Sequence, residues 1–525
     1  MIRAYTGPQV RDAEAPLLET VGGALMQRAA HGLSVAVARE LIRTGKPVYG
    51  GRLVVLAGSG NNGGDALFAA ARLSRRGMGT TAVLTSSRAH PEALRSFEHA
   101  GGRVRTLGDT RAGNAITSEE AARLCAAADV VVDGILGTGG YGGLREPAAS
   151  LVEALASPPL VVACDLPSGM DADTGRIDGI VLAADLTVTF GAAKSGLLIG
   201  DGAHHAGRIH TVPIGIEGQL PAPDVRRLES PDLARLWGAP AASAHKYSRG
   251  VLGVVAGSAQ YPGAALLTAQ GAQDTGVGMI RYLGPEPVAR LINARLPEVV
   301  CSQHSVAESH VQAWLVGPGI GDDDGQLQRA RDAIASGLPT VVDASALPLL
   351  PDNPGPHVVL TPHAGELAGV LAAHGVDADR TDIESSAAEH ARLAAGLTGA
   401  TVLLKGATTI VSSPSGSLFS QGESTSWLST AGSGDTLAGI LGALAATFAE
   451  APQATSPLET GASPLEAGGT SLETDGSDRF AVLAAMAASI HGRAAALASR
   501  GGPIAASDIS KLIGQVFISV HHGDE

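Results

Sequence analysis

One pattern, repeated in both halves of the chain, constrains the fold most: a short run of apolar, mostly β-branched residues is followed at once by a polar, glycine-rich loop. Such runs predict buried strands, and in a parallel sheet the carboxyl ends of neighbouring strands lie along one edge. We therefore predict an α/β fold in which the polar loops of each half meet at one sheet edge. The strand–loop pairs lie at 52–65, 129–143, 160–171, 251–258, 314–321, 340–347, 358–366 and 401–409.

The length of the chain predicts more than one domain, because 525 residues exceed what one hydrophobic core supports. Pro- and Gly-containing sequence at 218–223 favours a linker. We predict domains at 1–218 and 241–525, joined by a linker at 219–240. In the first domain, residues 9–43 predict helices that break near Pro16.

A segment near the C-terminus departs from the strand–loop pattern. Three similar Ser/Thr- and Leu-Glu-containing repeats occur there, and proline in the first two excludes a coiled-coil heptad. We predict a disordered insertion at 451–478.

Charge and cysteine content exclude several classes of protein. The net charge is -14 and no long basic run occurs, which argues against nucleic acid or an anionic membrane as the main partner. Three widely spaced cysteines favour neither a disulfide framework nor a zinc site. The chain also opens without a signal-peptide pattern and has no run of about 20 apolar residues. We expect a soluble, cytoplasmic protein that forms a homo-oligomer.

The stretch 429–439 predicts an anion site, because small residues run directly into an apolar helical pattern. Successive backbone N–H groups at a helix N-terminus bind phosphate. Asp435 would repel that phosphate unless it had another task, and accepting a proton from an attacking hydroxyl is such a task. The alternative is a glycine C-cap followed by an ordinary helix.

The first half offers hard oxygen ligands at three strand ends. Asn62, Asp133 and Ser168 suit a weakly bound monovalent cation better than calcium or zinc. For Ser168, a helix cap or a turn hydrogen bond is the alternative.

The segments GNNGGD (60–65), VDGILGTG (132–139) and DLPSGMDADTG (165–175) resemble the signature loops of NAD(P)H-hydrate epimerases, over about residues 5–217. The resemblance implies a Rossmann-like three-layer domain that interconverts the two epimers of hydrated NADH or NADPH. It implies potassium bound by Asn62, Asp133 and Ser168, and Asp165 as the acid/base residue. The residues implied to hold the hydrate are Asn61, Asn62, Gly63, Gly64, Asp65, Gly137, Thr138, Gly139, Gly140, Tyr141, Gly142, Gly143 and Asp165.

Two polar residues at strand ends of the second half also invite a functional interpretation. Lys405 belongs to a residue type that is scarce in this chain, although a lone surface lysine is the alternative. His363 could contact a ligand or only brace its turn.

Residues 241–519 resemble the ribokinase-like family, and within it the ADP-dependent NAD(P)H-hydrate dehydratases. The resemblance rests on HK (245–246), GPGIG (317–321), LTPHAGE (360–366), LLKGATT (403–409) and AGSGD (431–435). It implies contacts to the hydrate by Ala264, Gly319, His363 and Asp435, and use of magnesium and of ADP or ATP. The residues implied to contact the nucleotide are Lys405, Gly406, Ala407, Thr408, Thr409 and Gly434.

Together these expectations describe a fused repair enzyme: an epimerase and a nucleotide-driven dehydratase that restore hydrated NADH and NADPH. Asp435 would deprotonate the hydrate hydroxyl, which takes a phosphoryl group that then leaves as phosphate. Two alternatives remain open. The second half could be a small-molecule kinase that releases a stable phosphate ester, or the first half could be an idle ligand-binding module.

Overall fold

In the computed structural model, the described residues are 1–108, 114–140, 142–155, 158–449 and 478–523, without the side chains of 19–22. The chain divides into two compact units, Ile2–Arg226 and Met1 with Arg227–Glu525, called here the N-terminal and C-terminal units. The division falls inside the predicted linker, which carries the strand Val225–Arg227 and the helix Ser230–Leu236. Tyr141 and residues 451–477 of the predicted insertion lie outside the described residues.

The N-terminal unit is an α/β domain. Its strands are β1 (Ile2–Tyr5), β2 (Arg52–Ala57), β3 (Gly79–Leu84), β4 (Arg103–Leu107), β5 (Ala115–Ile116), β6 (Val130–Gly134), β7 (Leu160–Cys164), β8 (Leu186–Phe190), β9 (Ala193–Lys194) and β10 (Arg208–Val212), and β11 is Val225–Arg227. Its helices are α1 (Gly7–Arg43), α2 (Asn61–Arg75), α3 (Pro91–His99), α4 (Ser118–Ala126), α5 (Ala148–Ala154) and α6 (Gly202–His205). Eight strands form an all-parallel sheet in the order β10-β8-β7-β6-β2-β3-β4-β5.

Alternation along β2 explains the three layers of this unit, since successive strand side chains point to opposite faces. Leu53 and Val55 pack in the cluster that contains α1 and α2, whereas Val54 and Leu56 pack in the cluster with α4 and α5. The predicted three-layer α/β arrangement is confirmed.

The predicted break at Pro16 is wrong, because α1 is one helix of 37 residues. A proline removes only its own N–H donor, and Pro16 lies on the exposed face, where water can bond the carbonyl left without that donor. A capping box at Thr6 and Gln9 begins the helix. Leu33, Val37 and Leu41, four residues apart, are fully buried and hold the helix in place.

The C-terminal unit is a second α/β domain. Its helices are α7 (Ser230–Leu236), α8 (Pro262–Thr275), α9 (Glu286–Arg295), α10 (Asp324–Ile334), α11 (Ala364–Ala373), α12 (Arg380–Ser385), α13 (Ala387–Thr398), α14 (Ser433–Thr447), α15 (Arg479–Ser499), α16 (Ala506–Ile509) and α17 (Ile513–His522). Its strands are β12 (Val251–Val255), β13 (Met279–Leu283), β14 (Val300–Ser302), β15 (Ala313–Val316), β16 (Thr340–Val342), β17 (Val358–Leu360), β18 (Thr401–Leu404), β19 (Thr409–Ser412) and β20 (Leu418–Gln421). They run β14-β13-β12-β15-β16-β17-β18-β19-β20, parallel up to β18 and antiparallel after it.

One described helix, α15, is long and apolar enough to span a membrane, with a mean hydropathy of 1.5 over its most apolar window. Of that window, 78% is buried inside the structure. The helix packs with α14 in the hydrophobic core of the C-terminal unit, which explains its apolar composition.

Candidate active sites

The strand order of the N-terminal unit reverses between β2 and β6, so the loops that follow these strands diverge and leave a crevice. A cavity of about 590 Å³ lies there. The predicted site residues that line it are Asn61, Asn62, Asp65, Gly137, Thr138, Gly139, Gly140 and Asp165.

The GNNGGD loop is not a separate loop, as predicted, but the first turn of α2, which begins at Asn61. Its N-cap is Gly60, and no side chain caps the helix, so its first N–H groups are available to an anion. Gly63 and Gly64 are buried and do not line the cavity: a Cβ on Gly63 would lie 2.2 Å from the Gly58 carbonyl oxygen, and one on Gly64 would lie 3.0 Å from His90. These two glycines allow close packing of the helix.

The carboxylate of Asp165 is held in place by four hydrogen bonds. Its backbone adopts the left-handed conformation, with φ 70. Its Oδ1 accepts hydrogen bonds from Lys194 Nζ at 2.5 Å and Thr189 Oγ1 at 3.1 Å. Its Oδ2 accepts from the backbone N and the Oγ1 of Thr138 at 3.1 and 2.5 Å. Burial alone would raise the pKa of Asp165, but the charge of Lys194 and these hydrogen bonds hold it below its usual value. Asp165 is therefore ionised at neutral pH.

Sequence reasoning missed Lys194, which lines the same cavity and is 2% exposed. The residue follows β8 through a tight turn, and its Nζ also donates to Thr189 Oγ1 at 3.0 Å. The scarcity of lysine in this chain was the available signal, and it was applied only to Lys405.

The three predicted cation ligands converge on one another. Asp133 Oδ1 accepts from Ser168 Oγ at 2.6 Å, and Asp133 Oδ2 accepts from Ser168 N at 2.8 Å. Asn62 Nδ2 donates to the Leu136 carbonyl at 2.8 Å, and Ser168 Oγ accepts from Leu136 N at 2.9 Å. Burial raises the pKa of Asp133 to about 6, although its hydrogen bonds oppose the shift. A fully buried carboxylate with no salt bridge among the described residues, linked through Ser168 to Leu136 and so to Asn62, fits a monovalent cation.

A second cavity of about 490 Å³ shares five lining residues with the first: Ser59, Ile135, Leu136, Gly139 and Gly140. It extends to Thr85 and Ser86, which follow β3, and to Arg145 and Glu146. Of the remaining predicted residues, Gly143 lines this second cavity, whereas Gly142 lines neither.

In the C-terminal unit the strand order reverses between β12 and β15, and the predicted residues again follow the carboxyl ends of strands. Gly319 follows β15, His363 follows β17 and Lys405 follows β18. Gly319 has φ +64, and a Cβ there would lie 2.5 Å from Ala264 Cβ. Gly319 and Ala264, both implied to contact the hydrate, therefore touch. Any larger residue in place of Gly319 would displace α8.

Lys405 is held by two carboxylates rather than extended into solvent. Its Nζ lies 2.8 Å from Asp343 Oδ1 and 3.6 Å from Glu366 Oε2, and Asp343 Oδ1 also accepts from Thr361 Oγ1 at 2.9 Å. Burial would lower the pKa of Lys405, but Asp343 and Glu366 raise it, so the ammonium group is retained. Sequence reasoning had not paired Asp343 or Glu366 with this lysine.

His363 is the N-cap of α11. Its Nδ1 accepts from Glu366 N at 3.1 Å, and its own N donates to Glu366 Oε2 at 2.9 Å. Its ring is 59% exposed. The histidine therefore braces its turn, whereas contact between its exposed ring and a ligand stays a prediction.

Asp435 lies in the first turn of α14, behind the N-cap Gly432, whose φ is 88. No side chain caps this helix, and a Cβ on Gly434 would lie 3.6 Å from Lys405 Nζ. The ammonium group is thus adjacent to the predicted anion site. Burial raises the pKa of Asp435 to about 6, and the charge of Asp343 adds to this while that of Lys405 opposes it. At neutral pH, Asp435 is therefore a base of useful strength.

His491 of α15 lies beneath this turn and hydrogen-bonds the backbone of Ser433. Burial lowers its pKa to about 4, so the ring is neutral. Residues Gly406, Ala407 and Thr408 form the turn between β18 and β19, and Thr409 begins β19. This turn follows Lys405 directly, and contact of its residues with a nucleotide stays a prediction.

Comparisons with known proteins agree with this division of sites. Residues 22–196 match a family model described as YjeF-related protein N-terminus, and residues 252–513 match one described as NAD(P)H-hydrate dehydratase. A bifunctional NAD(P)H-hydrate repair enzyme of Mycobacterium tuberculosis is 41% identical over 454 residues, which cover 84% of this chain and 89% of that protein. An NAD(P)H-hydrate epimerase of Microbacterium testaceum is 45% identical over 224 residues, 42% of this chain and 81% of that protein.

Among solved structures, the chain is similar to the ADP/ATP-dependent NAD(P)H-hydrate dehydratase of Bacillus subtilis, co-crystallised with ATP and Mg²⁺. The TM-score is 0.45 at 25% identity, with 56% of this chain and 99% of that chain covered. On the length and identity of the sequence matches, this chain belongs to the family of bifunctional NAD(P)H-hydrate repair enzymes.

Proposed function

We propose that the N-terminal unit interconverts the R and S epimers of hydrated NADH and NADPH. The main support is that Asp165, an ionised carboxylate, lines a cavity together with the N-terminus of α2, which no side chain caps. The hydroxyl of the hydrate lies on a ring carbon beside the ring nitrogen, so the nitrogen lone pair can expel it and water can return on the other face. Such a reaction needs positioned acid/base groups and no hydride partner.

The two cavities of this unit suit a dinucleotide. A dinucleotide has two bulky ends joined by a pyrophosphate, and the two cavities share Ser59, Gly139 and Gly140, next to the start of α2 at Asn61. The pyrophosphate would bind there, at the N–H groups. The nicotinamide end would occupy the cavity with Asp165, and the other end would extend toward Arg145.

In the C-terminal unit, the S epimer would be dehydrated with ADP or ATP. Asp435 removes the proton from the hydrate hydroxyl, whose oxygen attacks the terminal phosphorus of the nucleotide. The shortened nucleotide leaves, and Lys405 and the N–H groups at 432–434 stabilise the phosphate charge. The ring nitrogen then expels phosphate, and loss of a proton from the neighbouring carbon restores the dihydronicotinamide.

Two ions complete the proposal. Potassium would be held by Asn62, Asp133 and Ser168 and would neutralise the buried carboxylate of Asp133. Magnesium would accompany the nucleotide phosphates, with Asp343 and Glu366 as the nearby oxygen donors. Magnesium supplies charge neutralisation at the transferred phosphoryl group.

The test uses full-length protein with each purified epimer, followed by the absorbance of the dihydronicotinamide ring. With ADP, the S epimer should be restored directly and the R epimer after a lag. The Asp165→Asn variant should restore S normally but R only at the uncatalysed rate of epimer exchange. A stable phosphorylated product in place of free phosphate would instead identify a small-molecule kinase.

A further inference from the structure

The epimerase cavity contains a second carboxyl group with quite different surroundings from Asp165. Asp65 lines the cavity from α2, and its Oδ1 is buried yet has no hydrogen-bond partner among the described residues. Leaving a buried polar atom without a hydrogen bond destabilises the fold, so its presence in a cavity favours a functional role. Asp165, by contrast, accepts four hydrogen bonds.

Burial and two neighbouring carboxylates favour the neutral form of Asp65. Burial raises its pKa well above the usual value, and the nearby charges of Asp165 and Glu14 raise it further. Lys194 opposes this shift without reversing it, because that ammonium group is hydrogen-bonded to Asp165. Arg11, Cys164 and Asp133 are further titratable groups that interact with members of this cluster. One cavity therefore holds a carboxyl group whose pKa is raised beside one whose pKa is lowered, a pairing typical of acid/base catalysis.

We propose that Asp65 is the proton donor of the epimerase site, where it protonates the departing hydroxyl of the hydrate. This inference rests on the proposed epimerase function. The carbon–oxygen bond breaks as the ring nitrogen lone pair forms a C=N bond, and the oxygen takes the Asp65 proton and leaves as water. A second water adds to the opposite face of the C=N bond and gives a proton to Asp165. That proton returns to Asp65 through cavity water, so no proton is consumed.

Glu14 is the competing candidate, because it lines the same cavity and burial also raises its pKa. It is carried by α1 rather than by the helix that supplies the predicted hydrate-binding turn. The two candidates are separated by testing Asp65→Asn and Glu14→Gln in parallel.

The experiment measures epimer exchange by the full-length protein without ADP, so that the dehydratase is silent. Asp65→Asn should lower kcat roughly 10²- to 10⁴-fold, the usual range for removal of a general acid. It should also remove the alkaline limb of the pH–rate profile, because Asp65 acts only while protonated. Asp65→Glu should restore part of the rate together with that limb. The exposed Glu92→Gln of α3 serves as the matched carboxyl-to-amide control.

Folding is checked in each variant by ADP-dependent restoration of the purified S epimer and by thermal unfolding. A loss below about tenfold in Asp65→Asn would overturn the assignment. An alkaline limb that persists in that variant would overturn it as well, as would loss of the limb in Glu14→Gln alone. Wild-type protein that fails to exchange the epimers at all would instead refute the proposed epimerase function.

Discussion

Asp165 is buried at a strand end and Asp435 is half-buried at a helix start, yet their surroundings shift their proton affinities in opposite directions. Lys194 keeps the pKa of Asp165 low, whereas burial raises the pKa of Asp435 to about 6. The sequence could predict which carboxyl groups reach each site, because their positions follow strand ends. It could not predict their proton affinities, because Lys194 is 29 residues from Asp165 and Asp343 is 62 residues from Lys405.

The Lys194–Asp165 ion pair should matter for stability. Lys194→Met leaves a carboxylate buried without its counter-charge, which costs about 3–5 kcal/mol in the free energy of unfolding. The double variant Lys194→Met/Asp165→Asn should recover much of this loss. Urea unfolding monitored by circular dichroism measures both variants.

The matched control is Arg176→Met, which removes the solvent-exposed ion pair with Asp178. Exposed pairs contribute only about 0–1 kcal/mol. Equal losses in the buried and exposed variants would show that the buried pair has no special role.

The pH dependence of dehydration should report Asp435. A base acts only when ionised, so kcat/KM for the S epimer should be constant above pH 6 and fall about tenfold for each pH unit below it. Asp435→Asn should lower kcat roughly 10²- to 10⁴-fold. Steady-state rates between about pH 5 and 9 measure the profile. A flat profile would exclude Asp435 as the base.

The same variant should be more stable than wild type at neutral pH. The folded-state pKa of about 6 lies above the unfolded value of 3.8, so the folded protein binds this proton more tightly. The carboxylate therefore destabilises the fold above pH 6, and this cost disappears as the pH falls toward 3.8. Removing the charge should add about 1–2 kcal/mol after allowance for solvent screening.

At the scale of elements, the strand–loop pattern located the strands that carry the predicted site residues, because a buried parallel strand has a strong local signature. It did not locate β8 and β9, which position Lys194. The starts of helices were less predictable where the N-cap is glycine. Both α2 and α14 start inside stretches that composition alone suggests are loops, at Asn61 and Ser433. Packing against the sheet overrides the low helix propensity of glycine there. Packing likewise keeps α1 helical on both sides of Pro16.

The contact between the β15 loop and α8 gives a prediction at this scale. Gly319→Ala places a Cβ against Ala264 and adds the strain of a left-handed alanine. Displacement of Gly319 and Ala264, which are proposed to contact the hydrate, should lower dehydratase kcat/KM roughly 10- to 100-fold. Epimer exchange should be unchanged. Rates of the two reactions on one preparation check this.

Gly337→Ala is the matched control, since Gly337 has φ +76 and nothing within 4 Å of the added Cβ. It should cost about 1–2 kcal/mol of stability, with little change in either activity. If both variants lowered the dehydratase rate equally, loss of stability rather than the contact with Ala264 would explain the effect.

At the scale of the whole molecule, each unit has a strand-order reversal, and its predicted site residues follow the carboxyl ends of strands or lie in the first turn of a helix. Two separate units suit two sequential reactions on one metabolite, and we expect each reaction to be lost alone after a change in its own carboxylate. Length predicted more than one domain, and the sequence motifs predicted the family. The ion pairs that set the chemistry depend on tertiary contacts and required the structure.

The fate of the hydroxyl oxygen tests the phosphoryl-transfer mechanism most directly. The S epimer is prepared with ¹⁸O in its ring hydroxyl, and the wild-type protein restores it in the presence of ADP. Because the hydroxyl oxygen becomes the ester oxygen and leaves with phosphorus, the released phosphate should carry the label, as mass spectrometry can detect. Unlabelled phosphate, with ¹⁸O released as water, would contradict phosphorylation of the hydrate.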